Sequence, residues 1–191
     1  LLKIIQRKIK DEKVIRLITL IIKNFDNQQR GMPLGNLTSQ LFANVYMNEF
    51  DQLMKHNLRI QYYIRYTDDF VIIHHDQEHL WRLKDRIDDF LRTYLQLTLH
   101  PTKISVRKYS EGIDFLGYVV LPYGIMLRTK TKKRIMKKMK IRIAEYRAEK
   151  ISEKQLLQTI NSYLAVLSHA DSYKLRQKIL HSVWSSLKSP D

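Results

Sequence analysis

The hydrophobic positions in the first third of the chain predict helices. Between residues 1 and 25, isoleucines recur every three or four positions, which predicts helix with a break near Lys10–Asp11. Residues 26–36 place two glycines and a proline among polar residues, a composition typical of a loop. A further helical pattern begins near Leu37 and fades near Lys55.

The middle of the chain carries the residue types that strands favour. The segments "QYYIRY" and "FVIIHH" are aromatic and β-branched and flank "TDD", so they predict a hairpin. His74 and His75 are the last residues of this predicted hairpin. We expect them to point to opposite faces of the second strand, so that one metal ion cannot easily bind both. We also expect short strands at "LTL" (97–99) and "ISV" (104–106), and one longer strand at "IDFLGYVVL" (113–121) that "PYG" turns back toward "IML".

Apolar spacing and capping residues predict three later helices. Asp76 is a suitable N-cap for the first, Ser152 and Gln155 form a capping box for the second, and Asp171 can cap the third. The apolar stripes predicted on these helices are Leu80, Leu83, Ile87, Phe90 and Tyr94; Leu156, Leu157, Ile160, Tyr163, Leu164 and Leu167; and Leu175, Ile179, Val183 and Trp184.

Composition divides the chain near residue 128. Helices and strands mix before this point, and only helices are predicted after it, so the expected fold class is α+β with domains at 1–127 and 128–191. Residues 128–150 contain eleven basic and two acidic residues, and this window supplies +9 of the chain's net charge of +15. Such a charge density exceeds what solubility requires and indicates a polyanionic partner.

Nucleic acid is the favoured partner. The basic window has only a narrow apolar seam of Ile135, Met139 and Ile143, whereas a helix at a membrane surface needs a broad apolar face. The 191 residues include no cysteine and no apolar stretch of about 20 residues, so disulfides, thiolate metal sites and membrane spans are excluded and a cytoplasmic location is expected. Because the chain opens inside a helical pattern without Met, we expect it to be an excerpt of a longer protein.

The adjacent carboxylates of Asp68 and Asp69 allow two interpretations. An Asp-Asp pair between two strands is usually only a turn. Alternatively, two acids at the tip of a stiff hairpin suit Mg²⁺, which prefers carboxylate oxygens and keeps positions open for phosphates and water. Two further features are equally ambiguous alone: the loop "GMPLGN" is a possible phosphate cradle before a helix, and Lys103 is a candidate proton donor.

The order of these motifs resembles the reverse transcriptase palm followed by its thumb. A Gly-x-Pro-x-Gly loop precedes "YTDD" by about thirty residues, and "LTLHPTKISV", "GIDFLGYVV" and a basic helical tail follow it. The resemblance covers nearly the whole chain. Within the family, "PLGNLTSQ" and "INSYLAVLSHADSYKLRQKIL" are similar to the diversity-generating retroelement enzymes and their bacterial relatives, since group II intron enzymes usually carry Gln-Gly after this Pro.

The resemblance implies a partial polymerase palm (1–127), in which an antiparallel sheet packs with helices, and a helical thumb (128–191). It implies RNA-directed DNA polymerase activity with Mg²⁺, or Mn²⁺ as the alternative, and as partners an RNA template, an RNA/DNA primer duplex, deoxynucleoside triphosphates and an accessory protein or structured RNA. The implied site residues are Asp68 and Asp69 (metal, catalysis), Lys103 (acid for pyrophosphate departure), Tyr66, Gly31, Pro33, Gly35 and Gln40 (nucleotide and template), Phe115, Leu116 and Gly117 (primer grip), and Arg128, Lys130, Lys132, Lys133, Arg134, Lys137 and Lys138 (duplex).

Two departures from the family pattern stand out. Thr67 occupies a position where Ala, Met or Val is common. The family also has a metal-binding Asp on an earlier palm strand, and neither Asp11 nor Asp26 lies in an apolar strand context. We therefore expect that Asp upstream of Leu1 and expect these 191 residues alone not to polymerise DNA. A non-catalytic RNA-binding module and a magnesium nuclease are the alternatives.

Overall fold

The structure, a computed structural model, describes residues 1–23 and 37–187. The predicted loop 26–36, with Gly31, Pro33 and Gly35, lies outside the described residues. Within them the helices are α1 (Leu2–Lys8), α2 (Glu12–Lys23), α3 (Leu37–Gln52), α4 (Gln77–Leu95), α5 (Thr129–Arg147), α6 (Glu153–Ser168) and α7 (Tyr173–Leu187), and the strands are β1 (Tyr62–Tyr66), β2 (Asp69–Ile73), β3 (Ile113–Phe115), β4 (Tyr118–Leu121) and β5 (Gly124–Leu127).

The chain forms two compact units, Leu1–Val106 and Arg107–Asp191, which we call the first and the second unit. Strands β3–β5 therefore group with the C-terminal helices, whereas composition alone places a boundary near residue 128. The mixed α and β content of the predicted fold class is confirmed, with an antiparallel pair β1–β2 and an antiparallel sheet β3–β4–β5. Assigning these parts to palm and thumb stays a prediction.

The core of the first unit lies between α3, α4 and one face of the β1–β2 hairpin. Phe50 is fully buried and contacts the rings of Tyr63 and Phe70, with centroid distances of 5.9 and 5.0 Å. Because side chains alternate along a strand, Tyr63 and Phe70 face this core while Tyr62 and Ile64 face outward. Removing a fully buried ring of this kind typically costs about 3–5 kcal/mol, so Phe50 fixes the hairpin on its helix.

The helices of the first unit follow the sequence pattern with one change. The predicted break near Lys10–Asp11 is confirmed, and so is Asp76 as N-cap, since its carboxylate accepts from the N–H groups of Glu78 and His79. The predicted stripe of α4 is wrong at its end, where Tyr94 is 71% exposed. The buried residues of α4 are Leu83, Ile87, Leu91 and Leu95.

The strands predicted at residues 97–99 and 104–106 are wrong. Neither segment pairs with a strand in the described part of the chain. Leu97 and Leu99 instead pack against the first-unit core, which explains their apolar character without a hydrogen-bonded ladder. The predicted end of the third helix near Lys55 agrees with the structure, in which Leu53–Asn57 continue α3 as one π-helical turn that buries Met54.

The single long strand predicted at 113–121 is also wrong. The segment folds back on itself as β3 and β4, which pair in register from Ile113 with Val120 to Phe115 with Tyr118. Leu116 and Gly117 form the turn between them. The following turn and the "IML" strand are confirmed as β4 pairing with β5.

Helices α5, α6 and α7 enclose the core of the second unit. The predicted seam of α5 is confirmed: Ile135 and Met139 are buried and Ile143 packs beside them. The capping box of Ser152 and Gln155 is also confirmed. The stripes of α6 and α7 are right except at their edges, where Leu157 is 41% and Trp184 60% exposed. In the described ranges, no helix is both long enough and apolar enough to cross a bilayer.

Candidate active site and nucleic-acid interface

The two acidic residues of "YTDD" lie at the crest of the β1–β2 hairpin. Tyr66 pairs with Asp69 as the last rung of the ladder, which leaves Thr67 and Asp68 as a two-residue turn. Asp68 and Asp69 are both exposed. The predicted hairpin is thus confirmed, and its solvent-facing end presents two neighbouring carboxylates.

The backbone at the crest is strained at Thr67. Its φ is 54°, in a region that β-branched residues rarely adopt. The tightest hairpin turns need a positive φ at this position, where Gly or Asn usually stands. The Thr67 hydroxyl donates a hydrogen bond to Asp68 Oδ1 (2.9 Å), and the Thr67 carbonyl accepts one from Arg65 Nη1 (2.7 Å). Since such a conformation costs about 1–3 kcal/mol, its neighbours must hold it in place.

Arg65 of β1 connects the crest to helix α3. Its Nε donates to Asp51 Oδ1 (2.8 Å) and its Nη2 to Asp51 Oδ2 (2.5 Å), and Nη1 also reaches Asn44 Oδ1 at 3.3 Å. The Arg65 side chain is only 10% exposed. Tyr63 donates a further hydrogen bond to Asp51 Oδ1 (2.7 Å). Asp51 therefore receives donors from two residues of the same strand.

The ionisation of this cluster follows from its contacts. Partial burial raises the pKa of Asp51, but the hydrogen bonds from Arg65 and Tyr63 and the positive charge of Arg65 outweigh it and hold this pKa below its ordinary value. Burial, and then the hydrogen bond to Asp51, raise the pKa of Tyr63. At neutral pH, Asp51 is thus an anion and Tyr63 a neutral donor.

Asp51 is expected to make the stability of the protein depend on pH in acid. Because its pKa is lower in the folded state, its stabilising contribution is present above the unfolded-state pKa of about 4 and is lost as pH falls through the folded-state value. We expect the free energy of unfolding of the unmodified protein to approach that of Asp51→Asn as the pH is lowered below about 4. Denaturant titrations across this range measure the difference, and a gap independent of pH would contradict the assignment.

Three further predicted site residues are exposed: Tyr66 and Gln40, predicted for nucleotide and template contact, and Lys103, predicted as the acid. Tyr66 is 59% exposed, on the outward face of the hairpin with Tyr62 and Ile64. Gln40 is exposed in the first turn of α3. Lys103 is exposed in a turn closed by its N–H and the carbonyl of His100 (3.1 Å). All three are accessible to a ligand from solvent.

The histidines after the hairpin differ from expectation. Strand β2 ends at Ile73, so the alternation of a strand does not apply to His74 and His75. Their rings stack with centroids 4.3 Å apart, and His74 stacks on His79 at the same distance. His74 and His75 are both exposed.

The crest presents the type of oxygen donor that divalent metal ions prefer. Asp68 and Asp69 offer carboxylate oxygens, the ligands that Mg²⁺ prefers, and their exposure leaves room for phosphate and water ligands. Within residues 1–23 and 37–187, no group of three or more Asp, Glu, His or Cys side chains is arranged to hold a metal. The donor chemistry of the Asp68 and Asp69 carboxylates therefore fits Mg²⁺.

The second unit presents a different hairpin tip at Leu116 and Gly117. Both have positive φ, 53° and 88°, which is the requirement of a two-residue type I′ turn. Asn-Gly usually fills such a turn, and a bulky Leu in the left-handed region is strained. The Leu116 side chain is nevertheless 45% exposed at the tip. Of the three predicted primer-grip residues, Phe115 ends β3 and these two form the turn.

Helix α5 carries the basic surface predicted from the sequence. Its buried residues, Ile135 and Met139, occupy one side, and the cations surround the others. Lys132, Lys133, Lys137 and Lys140 line a shallow groove of about 530 Å³ together with Thr129 and Met136. Arg128 differs from the lysines because it forms an ion pair with Asp114, with Nε 2.8 Å from Oδ1.

The first turn of α5 contains no acidic residue. Cations near a helix N-terminus oppose the helix dipole, so Lys130, Lys132 and Lys133 reduce the intrinsic stability of α5. A charge pattern that lowers helix stability is more readily explained by binding an anion than by folding.

Comparison with known proteins identifies the family. The sequence profile described as reverse transcriptase (RNA-dependent DNA polymerase) matches residues 3–120 of this chain. The chain belongs to the reverse transcriptase family. The matched range contains the β1–β2 crest, Lys103 and the Leu116–Gly117 turn. Reverse transcriptases in general act on RNA templates and nucleotides with divalent metal ions.

One curated relative is Protein YkfC of Escherichia coli (strain K12). It is 26% identical, and the alignment covers 62% of this chain and 41% of the relative. The chain thus spans less than half of the length of this relative. The predicted family is confirmed, while the predicted subgroup stays a prediction because neither match distinguishes among reverse transcriptases.

Arg65 and Asp51 are the residues that sequence reasoning missed in this reverse transcriptase chain. Arg65 lies next to the "YTDD" motif, in "YIRYTDD", and Asp51 lies near the end of the predicted third helix, in "NEFDQ". In the sequence, nothing distinguishes either one from other charged residues. An available signal was the position of Arg65 on the inward face of a strand, where an unpaired charge is costly and a partner is required.

Proposed function

We propose that this chain is the palm and thumb part of an RNA-directed DNA polymerase that copies an RNA template into cDNA. The observation that carries the proposal is the pair of carboxylates, Asp68 and Asp69, at the crest of a hairpin anchored to a buried core, within the range matched by the reverse transcriptase profile. The palm corresponds to residues 1–127 and the thumb to 128–191. The diversity-generating retroelement group remains the subgroup that the "PLGNLTSQ" segment favours.

The proposed chemistry is nucleotidyl transfer with Asp68 and Asp69 as metal ligands. Asp68 and Asp69 would hold the divalent ions of a two-metal site, which would supply positive charge to the transfer. Tyr66, exposed on the outward face of β1, would contact the primer end or the incoming nucleotide. Lys103 would donate a proton to the departing pyrophosphate.

The proposed duplex contacts come from the second unit. The exposed lysines of α5 would neutralise backbone phosphates, and Leu116 would press an apolar tip against the primer end. The strain at Leu116 supports this role, because left-handed bulky residues persist where function requires them.

Leu116→Asn is expected to raise stability and weaken primer binding. Asn suits the left-handed region, so the free energy of unfolding should rise by about 1 kcal/mol. Loss of the apolar contact should raise KM for the primed template about tenfold, since burying a Leu contributes about 1.5–3 kcal/mol. Denaturant unfolding and steady-state extension measure the two effects.

The matched control for Leu116 is Gln96→Asn. Gln96 is the left-handed C-cap of α4, with a φ of 50°, so Asn there relieves similar strain far along the chain from the turn. We expect higher stability and unchanged KM for this control. An unchanged KM in Leu116→Asn would remove Leu116 from the primer grip.

A non-catalytic RNA-binding module is the second candidate function. Two observations favour it. Among the described residues, no cluster of three or more metal-binding side chains occurs, and the whole chain has a net charge of +15. A magnesium nuclease would also use the acids but leaves the combination of the Gly-x-Pro-x-Gly loop in the sequence and the basic helices unexplained.

Product analysis separates the three functions. The natural full-length protein, with any residues that precede Leu1, is incubated with a primed RNA, deoxynucleoside triphosphates and Mg²⁺, and the strands are resolved by length. We expect primer extension that stops when the nucleotides are omitted. Shortened strands would indicate a nuclease, and unchanged strands with retained RNA binding would indicate the binding module.

A further inference from the structure

Arg65 makes one contact that a simple ion pair would not need. Its Nε and Nη2 already join β1 to α3 by donating to Asp51, yet Nη1 also donates to the carbonyl oxygen of Thr67 at 2.7 Å. The planar guanidinium carries five N–H donors in a fixed fork, so one Arg can hold the carboxylate and the carbonyl together. Arg65 thus binds helix α3 and the crest at the same time.

The Thr67 carbonyl belongs to the peptide group that leads into Asp68. Six atoms of a peptide group, from one Cα to the next, lie close to one plane. A hydrogen bond that fixes the Thr67 oxygen therefore restrains the amide and Cα of Asp68. It also helps to hold Thr67 at its φ of 54°, which the residue would otherwise rarely adopt.

The other end of this connection is firmly anchored. Asp51 follows Phe50, which is fully buried, and its carboxylate also accepts from Tyr63, whose ring contacts Phe50. With 10% of its side chain exposed, Arg65 has little freedom to leave this arrangement. Restraint is transmitted from the core through Asp51 and Arg65 to the crest.

We infer that Arg65 is a positioning residue that fixes where Asp68 presents its carboxylate. This inference rests on the proposed function of Asp68 as a metal ligand. Arg65 itself contacts neither substrate nor metal in this role. Substituting a residue that holds a metal ligand in its orientation typically lowers metal affinity or activity by about 10- to 100-fold.

Arg65→Lys distinguishes positioning from a merely structural role. Lysine retains the positive charge and can pair with Asp51, but its single ammonium does not reproduce the fork that also reaches Thr67. The matched control is Arg7→Lys, because Arg7 pairs with Glu49 on the same helix at 3.0 Å and lies elsewhere than the crest. Arg7 is 66% exposed and reports the effect of an Arg-to-Lys change at a surface ion pair, whereas a merely structural Arg65, 10% exposed, predicts a lower thermal midpoint without a selective change at the crest.

The experiment measures three properties of the natural protein and both variants. These are the thermal midpoint, amide hydrogen exchange at Asp68 and Asp69, and single-nucleotide extension as a function of Mg²⁺ concentration. For Arg65→Lys we expect a midpoint close to that of Arg7→Lys, faster exchange at the crest, kcat lower by about 10- to 100-fold, a higher half-saturating Mg²⁺ concentration and unchanged KM for primed template.

Two results would overturn the inference. One is that Arg65→Lys shows the same kcat and the same amide exchange rates at Asp68 and Asp69 as the control Arg7→Lys. The other is a loss of activity that follows a lower midpoint and a changed KM for primed template, which is the signature of general unfolding. If the unmodified protein extends no primer, the proposed function fails, and crest exchange alone then decides: faster exchange in Arg65→Lys supports positioning, and equal exchange rejects it.

Discussion

Asp68→Asn is expected to reduce magnesium-dependent primer extension to background. The substitution keeps the size of the side chain and an oxygen that can accept from the Thr67 hydroxyl, but it removes the negative charge that binds a divalent ion. Because Asp68 is exposed and the net charge becomes more positive, folding and RNA binding should change little. Extension of a labelled primer on an RNA template measures the first effect, and thermal unfolding and RNA titration measure the others.

The control for Asp68 is Asp85→Asn in helix α4. It makes the same change of charge on an exposed residue of the first unit, where Asp85 pairs only with the neighbouring Lys84 among its described contacts. Full activity is expected. Unchanged extension in Asp68→Asn would refute the metal-ligand role, and equal loss in both variants would indicate an effect of charge alone.

Replacing four lysines of α5 by Gln is expected to weaken duplex binding about a thousandfold at physiological salt. The four are Lys132, Lys133, Lys137 and Lys138, all exposed. Each phosphate contact contributes about 0.9 to the slope of log affinity against log salt, so the slope should fall by about three to four. Helix α5 should survive, because Gln and Lys have similar helix propensity and fewer cations then oppose the dipole at its N-terminus.

The matched control replaces Lys3, Lys8, Lys10 and Lys13, which are exposed residues in and around α1 and α2, by Gln. Its total charge is the same as that of the α5 variant. Binding of an RNA/DNA duplex is measured at several salt concentrations for both. If the two variants lose affinity and slope equally, the net charge of the protein and not helix α5 explains binding.

Local signals made most helices predictable. Asp76 and the pair Ser152 and Gln155 cap helices through side chains that act within three residues, so their effect is visible in the sequence. The β1–β2 hairpin was predictable because β-branched and aromatic runs flank a polar pair. The crest and its carboxylates followed directly from that hairpin.

Other features depended on contacts or turns that the sequence does not mark. Leu116 occupies a turn position that normally carries Asn, so the β3–β4 hairpin read as one strand. Leu97 and Leu99 looked like a strand because packing alone can require alternate apolar residues. The link between Arg65 and Asp51 spans 14 positions and appears only once β1 lies on α3.

Residues with a positive φ limit how this protein can be stabilised for reactions at elevated temperature. Five non-glycine residues in the described part of the chain have positive φ: Arg59, Thr67, Gln96, Leu116 and Glu149. Gly or Asn at such positions is an ordinary route to a higher melting temperature. Arg59, Gln96 and Glu149 lie outside the proposed site and can be substituted for that purpose, whereas under the proposed function gains at Thr67 and Leu116 would be offset by impaired primer extension. Substitutions for thermostability should therefore begin at Arg59, Gln96 and Glu149 and leave both hairpin tips unchanged.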